Sequence, residues 1–325
     1  MRYRTLGKTN LKVSEIGFGG WQISGDWGNI HDDSTQVVEA AIDAGINLFD
    51  SAYVYGDGES ERALGKALKP HRDNVIITSK IPPKNFRWDV KAHHKVSDFY
   101  DKKWIIEATE RSLKNFGVEY IDVQMLHTWN DIFVEQDEWY TAVEQLKQDG
   151  KIRHLGVSIK SWEFDQGIAG MANGMLEVIQ VLYNIFEQRP AEKLFPAALE
   201  HNVGLITRVP FDEGLLTGNY LPGHIFADND WRKNWLTEER LQEAAPRIEE
   251  LKKLLDQDTP NLSDLAIKFC LADPAVSCTI AGARRIEHVQ RNAAVAAQPA
   301  LSQSTIDALA NQAWPHNWHY DGDND

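Results

Sequence analysis

Eight short runs rich in apolar and β-branched residues, each followed by a longer stretch of helical periodicity, constrain this 325-residue chain more than any other feature. The runs are Glu15–Gly20, Asn47–Ala52, Asn74–Lys80, Ile121–His127, Ile152–Ile159, Glu177–Asn184, Gly204–Val209 and Cys278–Ala283. Strands that alternate with helices of this length build parallel βαβ units, and strands covered on both faces read as nearly continuous apolar runs. The helical stretches include DSTQVVEAAIDAG, KKWIIEATERSLKNFG, DEWYTAVEQLKQDG and EKLFPAALEHNVG. Gly45, Gly117 and Gly150 close three of them, where a helix end needs a left-handed residue. Eight strand and helix pairs predict an α/β fold, a (β/α)8 TIM barrel spanning residues 1–325 as a single domain. YRTL and LKVSE, joined by GKTN, predict an N-terminal β-hairpin ahead of the barrel, and STIDALANQAW predicts an extra C-terminal helix. The competing doubly wound sheet needs a G-x-G-x-x-G turn after its first strand, and GFGGWQ does not supply one.

Charge and cysteine usage remove several partner classes. With 34 Lys and Arg against 48 Asp and Glu, the net charge of −14 repels a polyanion, so nucleic acid is not expected as a partner. Cys270 and Cys278 cannot form a disulfide scaffold for a chain this long, and no Cys/His cluster has zinc-ligand spacing, so no metal is expected. No apolar run approaches the roughly 18 residues of a membrane span, and the start of the chain lacks a signal-peptide core. A cytoplasmic protein without membrane contact is the expectation. The acidic end HYDGDND reads as a solvated tail.

Catalytic groups of such barrels sit at the C-terminal ends of strands and on the loops that follow. Asp50, Lys80 and His127 end the second, third and fourth runs, and Tyr55 lies on the loop after Asp50, with Tyr53 as a competing phenol. Asp57 is placed to cap the next helix, with Glu59 and Glu61 in its first turn. An ammonium beside a phenol stabilises the phenolate and lowers its pKa toward the range useful for proton transfer. Lys80 would do this for Tyr55, Asp50 would anchor Lys80, and His127 would donate a hydrogen bond to a substrate oxygen. Such a set can protonate an oxygen on which negative charge develops. With no activated Ser or Cys and no flavin or pyridoxal lysine signature, the electrons must come from a bound hydride donor.

GINLFDSAYVYGDGESERALG, VIITSK, IDVQMLH and IRHLGVSI together resemble the aldo-keto reductase superfamily, over nearly the whole chain. The order Asp50, Tyr55, Lys80, His127 matches that family's catalytic tetrad. The resemblance implies a barrel that reduces aldehydes or ketones with NADPH, or with NADH, and has no Rossmann domain. It also implies Tyr55, not Tyr53, as the general acid. A small-molecule aldehyde, ketone or sugar is the implied substrate. The alternative is a cofactor-binding regulatory or redox-sensing subunit with little turnover.

The same resemblance assigns cofactor residues. Ser158 and Gln180 stand at the positions that hold the nicotinamide carboxamide, although Ile159 replaces the usual Asn. Arg208, in TRVPFDEGLLTG, replaces the aromatic residue that stacks on the nicotinamide; a salt bridge to Asp212 or Glu213 is its competing role. Gly214, Leu216 and Gly218 of GLLTG correspond to a pyrophosphate cradle. Gly282 and the segment AGARRIEHVQRN place Arg284 and His288 at the adenosine 2′-phosphate and Asn292 at the adenine, with Arg285 facing either the phosphate or solvent and Arg291 replacing a more usual Glu. Trp21, Phe86, Trp88 and Trp129 are expected to wall the substrate pocket. WPHNWHYD would either fold over its mouth or dock the last helix.

Overall fold

An antiparallel hairpin, β1 (Tyr3–Thr5) and β2 (Lys12–Ser14), opens the chain in the computed structural model, which describes residues 1–25 and 33–318. The predicted acidic tail, 319–325, lies outside the described residues. Eight parallel strands follow: β3 (Ile16–Gly19), β4 (Leu48–Asp50), β5 (Ile76–Ile81), β6 (Ile121–Leu126), β7 (Ile152–Ser158), β8 (Val178–Leu182), β9 (Gly204–Arg208) and β10 (Val276–Gly282). They close into a barrel in chain order, with β10 paired to β3.

Two apolar clusters explain why the strands carry apolar residues on both faces. Leu48, Ile76, Val123, Met125, Val178, Ile206, Cys278 and Ile280 fill the barrel interior, and Leu6 and Val13 of the hairpin region pack against them and plug its N-terminal end. The alternate strand residues, including Phe49, Ile77, Leu126, Leu155, Val157, Ile179 and Leu205, pack outward against the helices. Each such side chain contributes roughly 1.5–3 kcal/mol on full burial, which fixes the register because a one-residue slip would exchange the two faces.

Local signals set the helix ends. Asp101 accepts a hydrogen bond from the Trp104 amide to start helix Lys102–Phe116, and Gly117 ends it at φ 66°. Asp33 caps Ser34–Asp43 in the same way. The expected C-terminal helix is Gln303–Ala310, capped by Ser302. Asp57 is not a cap: it has φ 49°, and Gly58 occupies the N-cap of helix Glu59–Leu68. Glu61, in the first turn with Glu59 as expected, is fully buried and accepts hydrogen bonds from Ser79 (2.6 Å) and Asn115 (2.7 Å). It thereby ties the helix to the strand residue next to Lys80. Among the described residues, no helix is long and apolar enough to cross a membrane.

Candidate active site

The C-terminal strand ends surround a cavity of about 520 Å³, within the range of small-molecule sites. Asp50 is the last residue of β4, Lys80 is the penultimate residue of β5, and His127 follows β6 directly. Successive strands of a barrel rim bring such residues side by side. Lys80 Nζ donates to Asp50 Oδ2 at 2.6 Å, to the Ser51 carbonyl at 2.8 Å and to Tyr55 Oη at 3.4 Å. Asp50 Oδ1 accepts from Thr78 (2.7 Å) and from Gln180 Nε2 (2.8 Å). The His127 ring lies edge-on to Tyr55, with centroids 6.1 Å apart. Tyr53 lies beneath the Arg111 guanidinium, 4.2 Å from its ring centroid, and does not line the cavity.

Burial governs the protonation states of this group. It is the largest influence on Tyr55 and pushes the phenol above its ordinary value; Lys80 and Arg208 oppose it, and Asp50 adds to it. The expected net lowering by Lys80 is therefore reversed, because desolvation of the phenolate outweighs one neighbouring ammonium. Tyr55 holds its proton, as a donor must. Burial also works against the Lys80 charge, but Asp50 and Tyr55 outweigh it and raise the ammonium pKa. His127 is pushed well below its ordinary value by burial, then by Lys80 and Arg208, so its imidazole is neutral.

One part of the cavity suits a nicotinamide carboxamide. Gln180 spends its amide nitrogen on Asp50, leaving Oε1 buried without a hydrogen-bond partner, and Ser158 at the end of β7 lines the same space. A buried orphan acceptor beside a hydroxyl matches a group with one donor and one acceptor. Arg208 ends β9 and lines the cavity, where its Nη2 donates to the Ile159 carbonyl (3.1 Å) and Ser161 Oγ (3.1 Å). Among the described residues it does not pair with Asp212 or Glu213. Its Nε is buried without a partner, and burial lowers its pKa.

A strained turn forms the neighbouring wall. Val209, Asp212, Glu213 and Gly214 have φ of 60°, 46°, 55° and 109°. Each non-glycine residue so placed costs on the order of 1–3 kcal/mol, so other contacts must hold it. Asn184 donates to the Val209 carbonyl (3.0 Å), His316 meets Asp212 at 3.0 Å, and Arg232 Nη1 reaches the Glu213 carbonyl at 3.4 Å. Gly214 must lack a side chain, because a Cβ would lie 2.5 Å from the Tyr220 ring. Gly214 and Thr217 line the cavity; Leu216, with its side chain buried in the core, and Gly218, the cap of the short helix Asp212–Thr217, are not among the lining residues.

Gly282 at the end of β10, and Arg284, His288, Arg291 and Asn292 past it, line the cavity. Arg285 is not among the lining residues and pairs with Glu287 at 3.3 Å. Trp21 stacks on Tyr55 (5.8 Å between centroids) and Trp88 lies edge-on to His127 (5.0 Å). Trp129 is displaced from its expected role: it is fully buried against Phe133 and Trp139, with its indole N–H on Asp131. Phe86 is half exposed and also stands outside the lining. Trp162, Lys160, Glu213, Tyr220 and Arg232 line the cavity without having been anticipated. Trp314 packs on Phe186 and the Arg247 guanidinium outside that lining, so the described part of WPHNWHYD docks on the barrel body.

A closed (β/α)8 barrel whose strand ends assemble an Asp, a Lys, a Tyr and a His beside a cavity of small-molecule size defines a class of carbonyl oxidoreductase. The chain belongs to the aldo/keto reductase family, whose model matches residues 15–312. Membership makes it an oxidoreductase that works on carbonyl groups with a nicotinamide cofactor. A probable voltage-gated potassium channel subunit beta of Arabidopsis thaliana is 29% identical to it over 95% of each chain. An NADH-specific methylglyoxal reductase of Escherichia coli (strain K12) is 28% identical, over 90% of this chain and 93% of its own. The structure of the glycerol dehydrogenase AKR11B4 from Gluconobacter oxydans is similar with a TM-score of 0.77 and 27% identity, covering 99% of this chain and 96% of that one.

Proposed function

We propose that this chain reduces a small aldehyde, ketone or sugar carbonyl to the alcohol, with Tyr55 as the general acid and NADPH as the preferred cofactor. The observation that carries the reading is the Tyr55 hydroxyl, protonated and within 3.4 Å of the Lys80 ammonium, in a cavity that Arg284, His288 and Arg291 also line. The bound cofactor supplies hydride to the carbonyl carbon. As charge builds on the carbonyl oxygen, Tyr55 donates its proton to that oxygen, and Lys80 stabilises the phenolate left behind. Neutral His127 donates a hydrogen bond to the same oxygen, and Asp50 keeps Lys80 charged and aimed. Deuterium placed at the transferring position of the reduced cofactor should appear at the carbinol carbon of the product; label found only in water would refute direct transfer.

Ser158 and Gln180 are assigned to the carboxamide, Gly214 and Thr217 to the pyrophosphate, and Arg284 with His288 to the 2′-phosphate. A charge-assisted hydrogen bond contributes roughly 1.5–3 kcal/mol, so one arginine on the phosphate favours NADPH by about tenfold to a hundredfold. Arg284→Ala is expected to raise the Kd of NADPH by that factor and leave the Kd of NADH nearly unchanged, measured by quenching of the cavity tryptophans. The NADH-specific relative is the counterexample this measurement addresses. Equal losses for both cofactors would place Arg284 elsewhere.

Arg208 is assigned to the cofactor. Its partnerless Nε and its place on the cavity wall support that assignment. Arg208→Ala is expected to weaken both cofactors by about tenfold, the value of one charge-assisted hydrogen bond at the lower end of its range. A rise confined to KM for polyhydroxylated or anionic substrates would reassign the guanidinium to substrate. The Arabidopsis relative favours a second reading, a regulatory subunit with little turnover in which the tetrad persists as a relic; steady turnover of a simple aldehyde with NADPH separates the two.

A further inference from the structure

Glu213 is a carboxyl that the reaction described above does not use. It is only 9% exposed, lines the cavity next to Gly214, and its carboxyl makes no hydrogen bond among the described residues. An unpaired buried carboxylate is costly, and a chain gains nothing from holding one in a left-handed turn unless something else meets it. The cofactor phosphates assigned to this wall are anions, so a carboxylate would repel them, whereas a carboxylic acid can donate to them.

We propose that Glu213 binds the dinucleotide as a neutral carboxylic acid, donating its O–H to a phosphoryl oxygen of the pyrophosphate. The inference rests on the nicotinamide-cofactor reading of the cavity. Its surroundings set the protonation state. Burial, then the neighbouring Asp212, raises the Glu213 pKa to about 8, opposed by Arg208 at the end of β9 and Arg232 from the segment beyond Thr217. Both cations already have other partners: Arg208 donates to Ile159 and Ser161, and Arg232 is paired with Asp230 and Tyr220. Asp212 is held by His316 and Asn184. Arg284 also lines the cavity, and its charge helps to lower the Asp230 pKa. The bound pyrophosphate adds negative charge, which raises the Glu213 pKa further, so binding and protonation favour each other.

The sign of the pH effect follows. The complex binds more protons than the free protein, so affinity is constant well below pH 8 and falls above it, by up to tenfold per pH unit. Four neighbouring groups shift away from that window: burial lowers His127 and His288, while the Tyr55 and Lys80 pKa values lie above their ordinary values near 10. NADPH and NADH share the pyrophosphate and should show the same slope.

Kd for both cofactors, measured by fluorescence titration from pH 6.5 to about 9.5, is expected to rise above pH 8 in the wild type and to stay flat in Glu213→Gln. Calorimetry of the wild type at pH 8.5, in two buffers of different ionisation enthalpy, should register proton uptake on NADH binding, an independent reading should the variant not fold. A parallel rise in Glu213→Gln, no proton uptake, or affinity that tightens with pH, as a carboxylate accepting from ribose hydroxyls would give, overturns the proposal. A pH-independent Kd overturns this inference alone; failure to bind either cofactor at any pH overturns the cofactor reading with it.

Discussion

Tyr55→Phe is expected to lower kcat by roughly 10²- to 10⁴-fold, the range for loss of a positioned proton donor, with the cofactor Kd little changed. The phenol is the group whose proton is both retained by burial and adjacent to a cation able to stabilise its loss. Removing one oxygen leaves the ring, and with it the stack on Trp21, in place. The loss should therefore appear in kcat and not in stability. Retained turnover would move the proton to another group, and Tyr53, under Arg111 and away from the cavity, is poorly placed to take it.

Lys80→Met should damage both activity and folding. Lys80 and Asp50 have side chains 0% and 2% exposed, so solvent screens their pair little. Removing one partner of a buried ion pair typically costs about 3–5 kcal/mol, because the other charge stays behind. Asp50 retains hydrogen bonds from Thr78 and Gln180, which places the expected loss toward about 3 kcal/mol in urea unfolding. Adding Asp50→Asn should recover much of that stability, since the stranded charge is then gone. It should not recover kcat, which is expected to fall at least about 10²-fold without the ammonium that stabilises the phenolate. Recovery of activity in the double variant would mean that Lys80 acts only through the fold.

The barrel was legible because strands buried on both faces leave continuous apolar runs, interrupted by helices whose ends carry their own signals at Asp101 and Gly117. The rim group was legible for the same reason: a polar residue ending an apolar strand, as at Asp50 and Lys80, stands out against what precedes it. Arg232 had no such signal. It reaches the cavity from a segment without strand or helix periodicity, and only tertiary packing brings it to the Glu213 carbonyl. Glu213 was hidden by its backbone, since an acidic residue at φ 55° follows no local preference and depends on the contacts that hold the turn. The tryptophans show a further limit of linear reading. Trp129 lies two residues beyond His127 yet turns into the core, while Trp162, beyond β7, faces the cavity. Position after a strand names the loop and not the direction of its side chains.

Carbonyl reduction through Tyr55 is best checked by steady-state reduction of simple aldehydes, ketones and sugars by the purified wild-type chain with NADPH and with NADH, following cofactor oxidation and alcohol formation together. It predicts many turnovers per site with one alcohol formed for each cofactor oxidised, abolished in step by Tyr55→Phe. Tight cofactor binding with no alcohol formed from any of these substrates would contradict it and leave a barrel that holds its cofactor without using it.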